Sequence, residues 1–103
     1  AMAIHMAESP IACMAAVHAA AATRNFTALE VHSVDVPWWE DLVVGPSKPL
    51  IKDGFIAVPD TPGLGIEELN EDLIKEKSHP QFPEPWTSTE EWDAEWANDR
   101  QWS

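Results

Sequence analysis

The chain has 103 residues, a formal net charge of −12 and 45% hydrophobic residues, which fits one small globular domain with a single core. Six basic residues are too few to neutralise a phosphate backbone, so the composition excludes a nucleic-acid partner and disfavours an anionic membrane surface. The single cysteine, Cys13, cannot form an internal disulfide, which indicates a reducing cytoplasm. The apolar stretch 11–22 follows no Lys or Arg, so we expect neither a signal peptide nor a membrane span.

The N-terminal third predicts a strand, a helix and a second strand. Residues 1–6 are apolar and contain His5, and Ser9–Pro10 is a typical helix start with a hydroxyl cap and a proline at the first helical position. The alanine-rich stretch from Pro10 to Thr23 favours a helix, and Phe26 to Val31 favours a strand. A strand, a helix and a strand within about 30 residues form a βαβ unit, which predicts a parallel sheet.

The second half predicts less regular structure. Residues 37–42 indicate a loop or short helix, and Asp53–Gly54 predicts a hairpin turn between strands at 49–52 and 55–58. Residues 66–77 predict one polar helix.

The C-terminal stretch from His79 to Ser103 predicts an irregular tail, with a short helix near 90–98. It is acidic yet carries four tryptophans, and disordered tails are poor in aromatic residues, so we expect it to dock on another surface. The organisation predicts two parts: residues 1–48, the βαβ unit with its following loop, and residues 49–103, the hairpin, polar helix and tail.

The predicted sheet is too small to be buried on both faces, as parallel sheets normally are. The chain therefore resembles a piece of a larger α/β protein. In such proteins active-site groups project from the carboxyl ends of the strands, where His5 and Glu30 lie. A histidine beside a carboxylate suits proton transfer. The simpler interpretation, which spacing alone favours, is a strand-end histidine bonded to backbone and a solvated Glu30.

Other candidate residues carry weaker signals. His32 follows Glu30 by two positions and shares its strand face, so it could reach the same crevice. His18 and Cys13 are expected to pack on the helix. The Trp38–Trp39 pair suits core packing and could also stack on a ligand. The chain lacks the His-x-x-x-His, His-Glu-x-x-His and Cys-x-x-Cys spacings, which disfavours a small zinc protein.

Three blocks together resemble a known family. They are AIHMAESPIACMAAVHAAAATRNFTALEVHSVDVPWWEDLV, PLIKDGFIAVPDTPGLGIE and the ending DRQWS. They are similar to the C-terminal segment of the mandelate racemase and muconate lactonizing enzyme branch of the enolase superfamily, near the galactonate-type acid-sugar dehydratases. The run Gly65-Ile66-Glu67-Glu68 departs from the family pattern by one additional acidic residue.

The resemblance implies a Mg²⁺-dependent lyase or isomerase that abstracts the proton α to a carboxylate and forms an enediolate. Its fold would be a modified (β/α) TIM barrel, of which this chain holds the last βαβ unit. It implies His5 as general acid/base and Glu30 as the acidic residue that hydrogen-bonds the substrate carboxylate. From their positions beside these two, His32 and Trp38 are expected to bind the substrate. The implied Mg²⁺ ligands lie on earlier strands, outside this chain. The implied partner is a sugar-acid substrate, in a homo-oligomer.

A barrel of this type needs about 250 residues, so 103 cannot close one. We therefore expect either a C-terminal fragment or gene remnant, or a chain whose missing part is supplied by another chain; by itself it would be marginally stable and inactive. The alternative is a non-catalytic acidic domain that binds a protein partner through its tryptophan-rich tail.

Overall fold

The structure is a computed structural model that describes residues 1–81. The chain forms two compact units, Ala1–Leu73 and Ile74–Ser103. The predicted division after residue 48 rests on sequence organisation and stays a prediction. The predicted helix at 90–98 and the four tail tryptophans lie outside the described residues. Among the residues described, no helix has the length and apolar character needed to cross a bilayer.

The predicted βαβ unit is present. Strand β1 spans Met2–Met6, helix α1 spans Pro10–Ala21 and strand β2 spans Phe26–Val31. The Ser9 hydroxyl accepts a hydrogen bond from the Ala12 amide at 3.4 Å, and Pro10 occupies the start of the helix, as predicted. The helix ends two residues before the predicted Thr23. The Thr23 hydroxyl instead donates to the Ala19 carbonyl at 2.8 Å.

Strands β1 and β2 pair in parallel, which confirms the predicted sheet. Met6 on β1 is buried, and Leu29 and Val31 on β2 are half-buried against the core that α1 helps to form. The opposite face carries the exposed residues Ala3, His5, Ala28 and Glu30. Within residues 1–81 this sheet has two strands only, so each strand keeps one unpaired edge. An open, mainly apolar groove of about 520 Å³ runs beside β2.

The core lies between α1, the sheet and the loops that follow. Its buried members come from β1, α1 and the segment after β2, and they are Met6, Cys13, Met14, Val17, Trp39 and Leu50. Cys13 has no exposed surface and is a free thiol, as its predicted packing role requires. Burial raises the pKa of the Cys13 thiol above its ordinary value, because desolvation penalises the thiolate.

The predicted polar helix at 66–77 is only partly correct, because helix α2 spans Glu71–Lys77. Upstream of it, strand β4 (Glu68–Leu69) pairs antiparallel with strand β3 (Val43–Val44). The Glu67 amide donates to the Val44 carbonyl at 2.9 Å, and the Asn70 amide donates to the Leu42 carbonyl at 2.9 Å. These donors are therefore committed to the β-ladder, and the helix can begin only after Asn70.

The predicted hairpin forms its turn but not its strands. Asp53 and Gly54 have φ values of 53° and 82°, and Lys52 and Phe55 exchange two hydrogen bonds of 2.9 Å. The pairing stops at that single bridge. The Leu50 amide, the next donor that the predicted strand 49–52 could offer to the hairpin, instead donates to the Glu40 carboxylate at 2.8 Å. The predicted short helix at 37–42 is a 3-10 helix, Trp39–Leu42.

Candidate functional site

Three of the four predicted site residues lie together at the carboxyl ends of β1 and β2. His5 Nδ1 lies 3.4 Å from Glu30 Oε2, and the ring centroids of His5 and His32 are 4.7 Å apart with a tilt of 56°. One potential ligand atom from each of the three residues lies within 4.8 Å of the others. We call this group the His-Glu-His cluster.

The strand register builds the cluster. His5 is the direct parallel partner of Glu30, and a side-chain period of two places His32 on the same face as Glu30. The His32 amide donates to the Met6 carbonyl at 3.1 Å, so the ladder continues one residue beyond β2. The small residues Ala3 and Ala28 precede the cluster on this face and leave it open.

The cluster is exposed to solvent. The side chains of His5 and Glu30 are 63% and 56% exposed, so an ion pair between them contributes at most about 1 kcal/mol to stability. When Nδ1 carries the proton, His5 donates a hydrogen bond to Glu30, and Nε2 is the second ring nitrogen. The simpler interpretation was a histidine bonded to backbone beside a solvated carboxylate. The Glu30 carboxylate is exposed to solvent, and it also contacts the His5 ring, which that interpretation does not include.

A buried tryptophan supports the loop that follows His5. Trp39 is 7% exposed, and its indole Nε1 donates to the Glu8 carbonyl at 3.0 Å. The Glu8 carboxylate in turn accepts from the Ala7 amide at 3.1 Å. The sequence predicted core packing for the Trp38–Trp39 pair, which Trp39 confirms, but it did not identify the hydrogen bond from Trp39 to the loop. Trp39 therefore ties the core to the loop beside the cluster.

The remaining sequence candidates lie apart or stay predictions. Trp38 is half-buried and immediately precedes the 3-10 helix. Its assignment to substrate binding stays a prediction. His18 lies on α1, half-buried, and within the described residues its Nε2 is buried without a hydrogen-bond partner. It is a helix-packing residue, as expected, and is not a member of the cluster.

The donor set does not fit Mg²⁺. This ion requires oxygen ligands in near-octahedral geometry, whereas the cluster offers two imidazoles and one carboxylate. Within residues 1–81, no other group of three or more His, Cys, Asp or Glu side chains converges closely enough to hold an ion. The ligand chemistry of the cluster therefore differs from that of a Mg²⁺ site.

Comparisons with known proteins identify a family for most of the chain. A family model described as "Enolase C-terminal domain-like" matches residues 1–73, which include the whole cluster. The chain is 46% identical over 65 residues to a D-xylonate dehydratase of Haloferax volcanii, and the match covers 63% of this chain. The same match covers 15% of that enzyme, so the chain spans a small part of its curated relative. No solved structure matches the chain.

Proposed function

Because the chain belongs to the enolase C-terminal domain-like family, we propose that it supplies the last βαβ unit of a modified TIM barrel in a sugar-acid dehydratase. The observation that carries this proposal is the His-Glu-His cluster at the carboxyl ends of two adjacent parallel strands. Barrel enzymes place their reacting groups at those ends. The unpaired edges of β1 and β2 and the open groove beside β2 support a larger sheet.

In the proposed reaction the proton α to the substrate carboxylate is removed, and the β-hydroxyl then leaves as water. The resulting enol becomes a 2-oxo acid. His5 is the general acid/base of this scheme: its imidazolium donates a proton to the departing hydroxyl and stabilises the developing negative charge. The exposed ring and its contact with the Glu30 carboxylate support this assignment. A racemase would use the same residues without loss of the hydroxyl.

Glu30 is proposed to hydrogen-bond the substrate carboxylate. Two ionised carboxylates repel each other, so this contact requires a proton shared between them. That proton is taken from solvent when the substrate binds, because the His5 imidazolium, 3.4 Å from Glu30, keeps its own proton for the departing hydroxyl. His32 extends the same face and would contact the substrate beyond Glu30, and Trp38 would close the pocket by stacking.

In this proposal Mg²⁺ belongs to residues outside this chain, and no step performed by His5 or Glu30 depends on a metal held here. The complete enzyme would act in the cytoplasm, as a homo-oligomer.

The proposal can be tested in a chimera. Residues 1–73 of this chain would replace the corresponding segment of the Haloferax D-xylonate dehydratase, and formation of the 2-oxo acid would be followed with semicarbazide. We expect D-xylonate dehydration, with Glu30→Gln raising KM more than it lowers kcat, since the residue binds the substrate in both ground and transition states. A chimera that folds and binds D-xylonate but forms no 2-oxo acid would contradict the proposal.

A further inference from the structure

The His-Glu-His cluster has the composition of a transition-metal site. Two imidazoles and one carboxylate are the ligands that borderline divalent cations such as Zn²⁺ accept, and they leave further coordination positions open. We propose that His5, Glu30 and His32 form a binding site for a borderline divalent transition-metal ion, distinct in chemistry from the Mg²⁺ that the fold family implies.

The geometry is close to that of a bound ion. Metal bonds of about 2.1 Å place neighbouring ligand atoms roughly 3.0–3.4 Å apart in octahedral or tetrahedral arrangements. His5 Nδ1 and Glu30 Oε2 already lie 3.4 Å apart. All three ligand atoms lie within 4.8 Å of one another, so closure to the spacing of a bound ion requires a shift of at most about 1.4–1.8 Å by an exposed side chain. The site therefore needs side-chain adjustment alone, on a backbone that the parallel register has already fixed.

Local sequence spacing could not reveal this site. Familiar zinc motifs place two ligands on one helix or one loop, at intervals of two to five residues. Here one ligand comes from β1 and two come from the end of β2, so the site depends on the pairing of His5 with Glu30. The inference uses the same side chains as the proposed function but does not rest on it, because it concerns binding of an ion by unprotonated imidazoles in the absence of substrate.

The test is calorimetric titration of the metal-free full chain with Zn²⁺, with Mg²⁺ as the comparison ion. We expect one Zn²⁺ per chain and no Mg²⁺ binding at the same concentrations. Each of His5→Asn, Glu30→Gln and His32→Asn should weaken Zn²⁺ binding by about 10-fold or more, since the loss of an outer-shell partner already costs that much. The matched control is His79→Asn, an exposed histidine outside the cluster, which should change binding less than about 2-fold.

A second measurement needs no variant. In imidazole ¹⁵N NMR spectra of the native chain, Zn²⁺ should shift the signals of His5 and His32 and leave those of His18 and His79 unchanged. The proposal is overturned if Zn²⁺ does not bind, if it shifts His18 or His79 instead, or if the three cluster variants bind it as the native chain does. Equal binding of Mg²⁺ and Zn²⁺ would also overturn it, because the cluster would then not be selecting by ligand chemistry.

Discussion

Replacement of Trp39 by phenylalanine tests how the core supports the loop beside the cluster. The change removes the hydrogen bond from Nε1 to the Glu8 carbonyl, worth about 0.5–1.5 kcal/mol. It also removes the apolar part of the second ring from a site only 7% exposed, at about 0.8 kcal/mol per carbon. We expect a total loss of about 2–3 kcal/mol. Small single-core domains rarely exceed about 3–5 kcal/mol, so this is a large part of the stability.

The assay is urea unfolding of the full chain followed by far-UV circular dichroism. The Trp39→Phe variant should have a lower midpoint and an unchanged slope, because the surface exposed on unfolding stays nearly the same. The matched control is Phe55→Leu, at an aromatic residue that is 78% exposed, which should cost less than about 0.5 kcal/mol. A Trp39→Phe midpoint no lower than that of the control would refute the assignment of this indole to the core.

Four further predictions concern the same core and its loops. Met14→Ala, at a residue 1% exposed, should destabilise the chain by about 2–5 kcal/mol in the same urea assay, since it leaves a cavity. Gly45→Ala should lower the thermal midpoint more than Gly54→Ala, because a Cβ at Gly45 would collide with the Gly65 carbonyl while one at Gly54 meets open space. The φ of 124° at Gly45 is also farther from the left-handed region than the 82° at Gly54, so strain and clash act in the same direction. Cys13 should react with a disulfide reagent only as fast as the chain opens, and equal rates for folded and urea-unfolded chain would contradict its burial. Burial raises the folded-state pKa of the Cys13 thiol, so the contribution of this group to stability is complete below its unfolded-state pKa and is lost as the pH rises through its folded-state pKa. The measurement is urea unfolding at increasing alkaline pH, in which the native chain should lose more stability than Cys13→Ala.

The βαβ unit could be predicted because every local signal agreed with it. The Ser9–Pro10 start, the alanine-rich helix and the short apolar strands each favour one structure, and their parallel pairing follows from the helical crossover. The positive φ values at Asp53–Gly54 were likewise predictable, because those two residue types tolerate them.

The β3–β4 pairing and the failed hairpin arms could not be predicted in the same way. Strands of two residues carry no periodic signal, and the amides of Leu50 and Asn70 find partners that are distant in sequence. Sequence predicted that His5 and Glu30 would share a crevice, but not that their side chains touch. That contact depends on register, which an irregularity between Met2 and Ala3 shifts by one residue.

The role of His5 is tested most directly by the rate of 2-oxo acid formation in the D-xylonate dehydratase chimera with and without this imidazole. Our account predicts that His5→Asn lowers kcat by about 10²–10⁴-fold, the range that general acid/base catalysis contributes, while substrate binding persists. The control Lys52→Ala, at an exposed residue outside the cluster and outside the groove beside β2, should keep full turnover. Retention of native turnover by the His5→Asn chimera would contradict the account.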